Sequence, residues 1–461
     1  MKIKLIGLSD PLILKEIAVI NQGFFNIWEF TDDEADLTFV AKPDQKEKYD
    51  HLKDYLTFLE AQTNETQPWG LLNGMRPNKL VHSMKKRGMS NTEISLALQE
   101  TYLVQPEKLD LLLNITDHQL ATIPNLHHLE KEISLYIGIP FCPTRCTYCT
   151  FAAYPYEPNK KWVTPFLNAL LAEIDLIGDY LKQHPVKVTS LYLGGGTPTM
   201  LEVSELETLL NQLRQAIPNF DHMAEITVEA GRPDTITREK LDLLKAFQVR
   251  RISINPQSFN QTTLDTIGRQ HSVEEVVQSF HLAKEVGIKN INMDLIVGLP
   301  NENPTSLINS LQNVANLQPE SLTVHMLAFK RKSELTNEGG LYAVAPKKVL
   351  KEMARQTYEF TEENDYVPYY LYRQKSMAGN LENIGYAKKG HECLYNILMM
   401  EEAQNILGLG VGASSKFLIG ESIHNPKDLR TYIENYETYV QRKLEMLTIS
   451  LKNDIKSFTY N

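Results

Sequence analysis

The sequence predicts an α/β protein: a parallel (β/α) partial barrel of about six strands, with an N-terminal α/β extension and a mainly helical C-terminal domain. Three observations predict it. Between residues 129 and 345 short strand-like runs alternate with helical stretches, which implies right-handed crossovers and a parallel sheet. The alternation repeats about six times, which suits a barrel better than a two-layer sheet. The 461 residues, 42% hydrophobic and 23% charged, have ordinary globular composition and the length of about three domains. A disordered chain, a collagen-like fibre and a small disulfide scaffold are excluded.

The elements follow in order. Residues 1–128 mix short apolar runs with an acidic stretch (Asp32, Asp33, Glu34, Asp36) and a later basic one. Within them NTEISLALQETYLV reads as an amphipathic helix with Ser90 and Glu93 placed as a capping box, and IPNLHHLEKE as a connector. In 129–345 the strand candidates are ISLYIGI (133–139), VTSLYLGG (188–195), AEITVEA (224–230), RRISINP (250–256), NINMDLIVG (290–298) and SLTVHML (321–327). Trp162, Phe166, Leu170, Ile174, Ile177 and Leu181 share one helical face between the first two. Helices around 203–216, 235–247, 260–266, 273–286 and 304–316 fill the remaining gaps. Residues 346–461 open with a helix near 347–363, continue through YYLYRQKSMAGNLENIGY and GLGVGASS, and end in a helical tail from 427. In such folds the site lies at the C-terminal ends of the strands.

Charge narrows the function classes. Lys plus Arg number 47 against 57 Asp plus Glu, a net −10, so nucleic acid is not the expected partner of the whole chain. No uncharged apolar run approaches the roughly 18 residues that span a membrane. Asp10, Lys15 and Glu16 interrupt the first apolar stretch, so a signal peptide is not expected and a cytoplasmic monomer is. The stretch 69–88 carries Arg76, Lys79, Lys85, Lys86 and Arg87 without an acid. It could meet phosphates or carboxylates, although a solvated helix face is the ordinary reading.

The chemistry is signalled by cysteine. Of four cysteines, Cys142, Cys146 and Cys149 fall within one loop after the first barrel strand, stiffened by Pro140 and Pro143. Thiolates suit zinc, Cu(I) and iron–sulfur clusters. A structural zinc site usually pairs two CxxC-like halves, and no second half exists here. Three thiolates at a barrel mouth favour a 4Fe–4S cluster with one iron open, while zinc with a His ligand and three unliganded thiols remain alternatives. The run Gly194-Gly195-Gly196-Thr197-Pro198 ends the second strand and leaves backbone groups open to a ligand. It lacks a GxGxxG or Walker pattern, so a dinucleotide reading is poor.

These two motifs together resemble the radical S-adenosylmethionine superfamily, in its oxygen-independent coproporphyrinogen III oxidase-like branch. The likeness continues at Glu229 in ITVEA, Gln257 in INPQSF, Arg269 in IGRQHS and Asp294 in NMDLIVGLP. The long N-terminal extension and YYLYRQKSMAGNLENIGY resemble the coproporphyrinogen dehydrogenase variant of Gram-positive bacteria. The resemblance implies that Cys142, Cys146 and Cys149 hold a 4Fe–4S cluster whose fourth iron takes exchangeable S-adenosylmethionine. It implies cofactor contacts at Tyr136, Tyr148, Gly195, Gly196, Thr197, Glu229, Gln257, Arg269, Asp294, Ala328 and Ser414. Read without it, Tyr136 and Tyr148 could be core aromatics, Glu229, Arg269 and Asp294 a structural ion network, and Gln257 a backbone partner.

The implied activity is oxidative decarboxylation of two propionates of coproporphyrinogen III to vinyls, giving protoporphyrinogen IX by a 5′-deoxyadenosyl radical, with a separate electron donor and acceptor. The chain departs from the oxidase pattern at Phe151, where those enzymes carry a further cysteine. Related haem-binding chaperones share that loss and have a histidine motif near the place of His391-Glu392-Cys393. Haem delivery is therefore the alternative reading. A tetrapyrrole pocket needs apolar walls and cations, for which Arg250, Lys330, Arg331, Lys332, Arg373 and Lys375 are the candidates.

Overall fold

The computed structural model describes residues 1–25, 28–42, 47–72, 74, 76–328, 345–374 and 381–452. In the first zone β1 (Lys2–Ile6) lies between β2 (Glu29–Phe30) and β3 (Leu37–Val40), parallel to both. Helix α1 (Pro11–Phe24) starts where the Asp10 carboxylate accepts from Leu12 N at 2.7 Å, with proline at a position that needs no donor. With α2 (Lys48–Thr63) it builds a small core of Ile13, Ile17, Ile20, Phe39, Leu56 and Leu59. Helices α3 (Asn78–Lys86), α4 (Asn91–Tyr102) and α5 (Pro106–Thr122) follow. The predicted capping box forms: Ser90 N donates to Glu93 Oε2 at 2.8 Å, and Glu93 N to Ser90 Oγ at 3.3 Å.

The middle zone supplies β4 (Ile133–Ile139), β5 (Phe141–Cys142), β6 (Tyr154–Pro155), α6 (Tyr156–Asn159), α7 (Val163–Gln183), β7 (Val188–Gly195), α8 (Val203–Ala216), β8 (Glu225–Glu229), α9 (Arg238–Ala246) and β9 (Arg251–Ser253). It ends with α10 (Gln261–Thr266), α11 (Val273–Val286), β10 (Asn290–Val297), α12 (Pro304–Leu317) and β11 (Ser321–Met326). Strands β4, β7, β8, β9, β10 and β11 are neighbours in that order and all parallel, the arrangement the alternation predicts. β4 is buried along nearly its whole length, as a strand covered on both faces must be, and its apolar run ISLYIGI meets that need. β9 is shorter than the sequence suggests. Pro256 brings no donor, and Gln257 rejoins the sheet only by a bridge to Leu295, with φ at +65°.

The last zone holds α13 (Lys347–Glu363), β12 (Val367–Tyr372), β13 (Asn383–Ala387), α14 (Leu394–Met400), β14 (Asn405–Gly410), β15 (Ser414–Lys416), β16 (Ser422–His424) and α15 (Leu429–Lys452). Its long helices match the sequence reading. Its strands extend the barrel sheet on both sides: β14 pairs parallel with β4, and β13 antiparallel with β11. The result is one sheet of eleven strands. These strands look like turns in the sequence because of their glycines, which are there for close packing. A Cβ at Gly385 would stand 1.7 Å from the Tyr370 ring, and one at Gly408 2.7 Å from the Ser414 backbone. α15 is tied to α7 by a wholly buried Lys443–Glu173 pair, in which Glu173 also accepts from Tyr432 OH at 2.6 Å and Gly410 N at 2.8 Å.

Candidate active site

The cysteine loop leaves the C-terminal end of β4 and is pinned from several sides. Gly196 N donates to Ile139 O at 2.7 Å and Thr197 N to Phe141 O at 2.8 Å, binding the glycine turn to the loop. Thr144 Oγ1 donates to Gly268 O at 2.8 Å, and Arg232 Nη1 reaches Thr144 Oγ1 at 2.9 Å. Gly195 has φ +104°, and a Cβ at Gly196 would lie 2.7 Å from Phe141 O and 3.1 Å from Cys142 Sγ, so the turn requires glycine at both places. All three thiols are free; Cys146 is buried, Cys142 and Cys149 half-buried.

Burial pushes the Cys142 thiol up to about 12, although Thr197 Oγ1, 3.4 Å from its sulfur, favours the thiolate; burial raises Cys149 too. Ionising these thiols therefore calls for a positive partner. Arg269 Nη1 is 3.9 Å from Cys146 Sγ, and a metal centre would supply the rest. Among the described residues no three His, Cys, Asp or Glu side chains converge as one metal ion would need. A polynuclear cluster, in which each thiolate binds its own iron, suits this donor set better than zinc.

A polar arc faces the loop from the next strand ends. Arg269 Nη2 donates to Gly231 O and Asn255 O, both at 2.6 Å, and Nη1 lies 3.4 Å from Tyr148 OH. Tyr192 OH donates to Glu229 Oε1 at 2.7 Å. Burial pushes Glu229 up to about 7, so a bound cation would draw it back toward the charged form. Asp294 goes the other way: burial would raise it, but His325, Asn292 (2.7 Å) and Thr323 together hold it below the usual range. Gln257 is fixed through its backbone, its N–H on Asp294 O at 2.9 Å. Thr227 Oγ1, Ser253 Oγ, Asn255 Oδ1, Gln257 Oε1 and Arg269 Nε are buried without a partner among the described residues, and all five residues line one cavity. Unsatisfied buried groups are costly, so the arc fits a ligand rich in amine, carboxylate and hydroxyl groups. S-adenosylmethionine is such a ligand.

The opposite wall is aromatic. Tyr136 stacks on Tyr192 with centroids 6.0 Å apart, and Tyr192 on Tyr395 at 4.8 Å. Tyr370, Tyr372 and Met399 extend this wall. The cavity measures about 560 Å³, and the fourteen residues expected from the sequence, including Ala328 and Ser414, all lie on it. Sequence reasoning missed Tyr192, Tyr395, Tyr370, Tyr372, His325 and Lys416, which line it too. Tyr192 was open to reading, since it pairs in register with Tyr136 on the adjacent strand. His325 was open to reading too, near the C-terminal end of the predicted strand 321–327, whereas Tyr370, Tyr372, Tyr395 and Lys416 come from the C-terminal zone and carry no local signal.

Other expected residues lie elsewhere. Arg250 precedes β9 and reaches Ala224 O at 3.5 Å, at the N-terminal ends of the strands, away from the mouth. Arg373 is buried, donates to Leu72 O at 2.5 Å and stacks over Trp69, so it docks the N-terminal extension and does not face the substrate side. Lys330, Arg331, Lys332 and Lys375 lie outside the described residues. Cys393 is fully buried with its thiol on Glu225 Oε1 at 3.3 Å, and neither it nor His391 lines this cavity; His391 borders a separate cavity with His118 and Arg250. Phe151 stands 65% exposed at the cavity rim. In the basic stretch, Arg76 and Lys79 pair with Glu402 and Lys85 with Asp117.

Comparison with known proteins agrees with this geometry. Residues 136–314 match the model of the radical SAM superfamily. The chain is 47% identical over 413 residues to the oxygen-independent coproporphyrinogen-III oxidase-like protein HemZ of Bacillus subtilis (strain 168), covering 87% of this chain and 82% of that one. It is 30% identical to the heme chaperone HemW of the same organism, covering 65% of this chain and 75% of the relative. Among solved structures, coproporphyrinogen III oxidase (HemN) from Escherichia coli has the same fold, with a TM-score of 0.55 at 24% identity over 70% of this chain and 73% of that one. No described helix is long and apolar enough to cross a membrane. The chain belongs to the radical SAM superfamily, among its oxygen-independent coproporphyrinogen-III oxidase-like enzymes.

Proposed function

We propose that this enzyme converts two propionates of coproporphyrinogen III to vinyl groups without oxygen, giving protoporphyrinogen IX. Each propionate gives up a β-hydrogen atom, carbon dioxide and one electron, the electron passing to a separate acceptor. A 4Fe–4S cluster on Cys142, Cys146 and Cys149 and S-adenosylmethionine would together supply the hydrogen-abstracting radical. The chain's own residues bind, orient and exclude water. The glycine turn leaves room for an amino group beside the loop, Arg269 brings a fixed positive charge, and Glu229 and Asp294 offer carboxylates to cationic or hydroxyl groups. The tyrosine wall gives a flat apolar face for the macrocycle.

The observation that carries this reading is the single cavity. It joins the cysteine loop and the polar arc on one side to the aromatic wall on the other. The test is an anaerobic assay of iron-reconstituted protein with S-adenosylmethionine, dithionite and coproporphyrinogen III, following porphyrins by mass. Two successive carboxyl losses that vanish in Cys142→Ala are expected. Cofactor cleavage with an unchanged porphyrin would refute the substrate, and stoichiometric haem binding in its place would point to a carrier.

A further inference from the structure

Building on that reading, we propose that Arg76 and Lys79 of the N-terminal extension join Lys416 of β15 in a corner at the cavity's edge that receives one carboxylate of the tetrapyrrole. A tetracarboxylate needs cations, and those deep in the cavity are already committed. Arg232 is held by Asp234 at 3.0 Å and Thr144, Arg251 by Asn290 at 3.0 Å and Ser321 at 2.6 Å, and Arg269, held by two carbonyls, belongs to the polar arc beside the cysteine loop. Lys416 is different. Among the described residues its ammonium contacts only the thioether of Met399, at 3.8 Å. Arg76 Nη2 lies 3.9 Å from the same sulfur. Thioether sulfur is a weak acceptor, so two cations turned to it would prefer an oxygen anion.

The charge count agrees. Arg76 and Lys79 share the single carboxylate of Glu402, so three cations stand against one acid. The neighbouring Glu401 offsets this only in part, because it is buried, accepts from Gln119 Nε2 at 2.9 Å and is pushed up to about 7 by burial. Lys416 is itself lowered to about 8, by burial first and then by Arg76, which the more distant Glu402 does not fully offset. Glu402 has φ +50°, a conformation rare outside glycine, asparagine and aspartate, and there it meets both N-terminal cations. Met399 and Lys416 line the cavity, while Arg76, Lys79 and Glu402 lie behind that lining, Arg76 being joined to it through the Met399 sulfur. An arginine fork with two ammonium groups is a suitable set for one carboxylate.

The test is fluorescence titration of the full-length protein with coproporphyrin III, the stable oxidised tetracarboxylate, and with its tetramethyl ester. Lys416→Met is expected to weaken binding of the acid about tenfold, as loss of one charge-assisted contact does, and to leave the ester unchanged. Glu402→Gln removes the competing anion and is expected to bind the acid at least as tightly as the unaltered protein. A purely structural ion pair predicts the opposite, weaker binding in Glu402→Gln, and that result would overturn the proposal. Equal acid binding by Lys416→Met and the unaltered protein would also overturn it, leaving the substrate reading intact. If the unaltered protein binds neither compound, the substrate reading fails and the carboxylate corner falls with it.

Discussion

At Gly196 the site depends on the absence of a side chain. A methyl group there would press on two carbonyl oxygens, at 2.7 and 2.9 Å, and on Cys142 Sγ. Gly196→Ala is expected to reduce S-adenosylmethionine binding at least tenfold and to lower iron content after reconstitution, as read by equilibrium dialysis and iron assay. Glu401 shows a different residue-scale effect. Its buried carboxyl rises from 4.5 to about 7, so the folded state retains a proton that the unfolded chain releases. Its contribution is full below pH 4.5 and is lost as pH rises through 7, a swing of about 3 kcal/mol. Glu401→Gln is therefore expected to stabilise the protein at pH 8 and to change little at pH 4, measured by urea denaturation at both. The cysteines and glycines were legible because their chemistry is local and unusual. The position of Lys416 was not, since only the folded chain places it on the cavity beside Met399.

At the scale of elements, the sequence located β4 and β7, α8 and α11 to the residue, because long periodic runs and caps mark them. It assigned no element to β13 and β14, whose glycines serve close contacts with Tyr370 and Ser414. The last helix, α15, is held by its apolar face and by the buried Lys443–Glu173 pair. Lys443→Met would leave the Glu173 carboxylate buried with no cation, at a cost of about 3–5 kcal/mol. The expected outcome is a lower urea midpoint with an unchanged far-ultraviolet spectrum below the transition. An unaltered midpoint would show that the pair adds nothing to the other contacts of α15.

Across the whole molecule the N-terminal zone divides in two. Residues up to about 63 have their own small core, whereas Trp69, Leu80, Ile94 and Leu112 belong to the barrel's main core. Trp69 Nε1 and Lys108 Nζ both donate to the buried Glu382, at 2.9 and 2.6 Å. Deleting residues 1–65 is expected to leave a folded protein, while deleting 1–128 should give insoluble chain, as judged by soluble yield and calorimetry. The sequence by itself determined the parallel barrel, the cysteine loop and the glycine turn, because periodicity and ligand spacing are short-range properties. Only the tertiary structure decided which strands border the barrel, which tyrosines wall the cavity and that Lys416 lines it. Those depend on residues hundreds of positions apart being brought together by burial, and no local pattern records that.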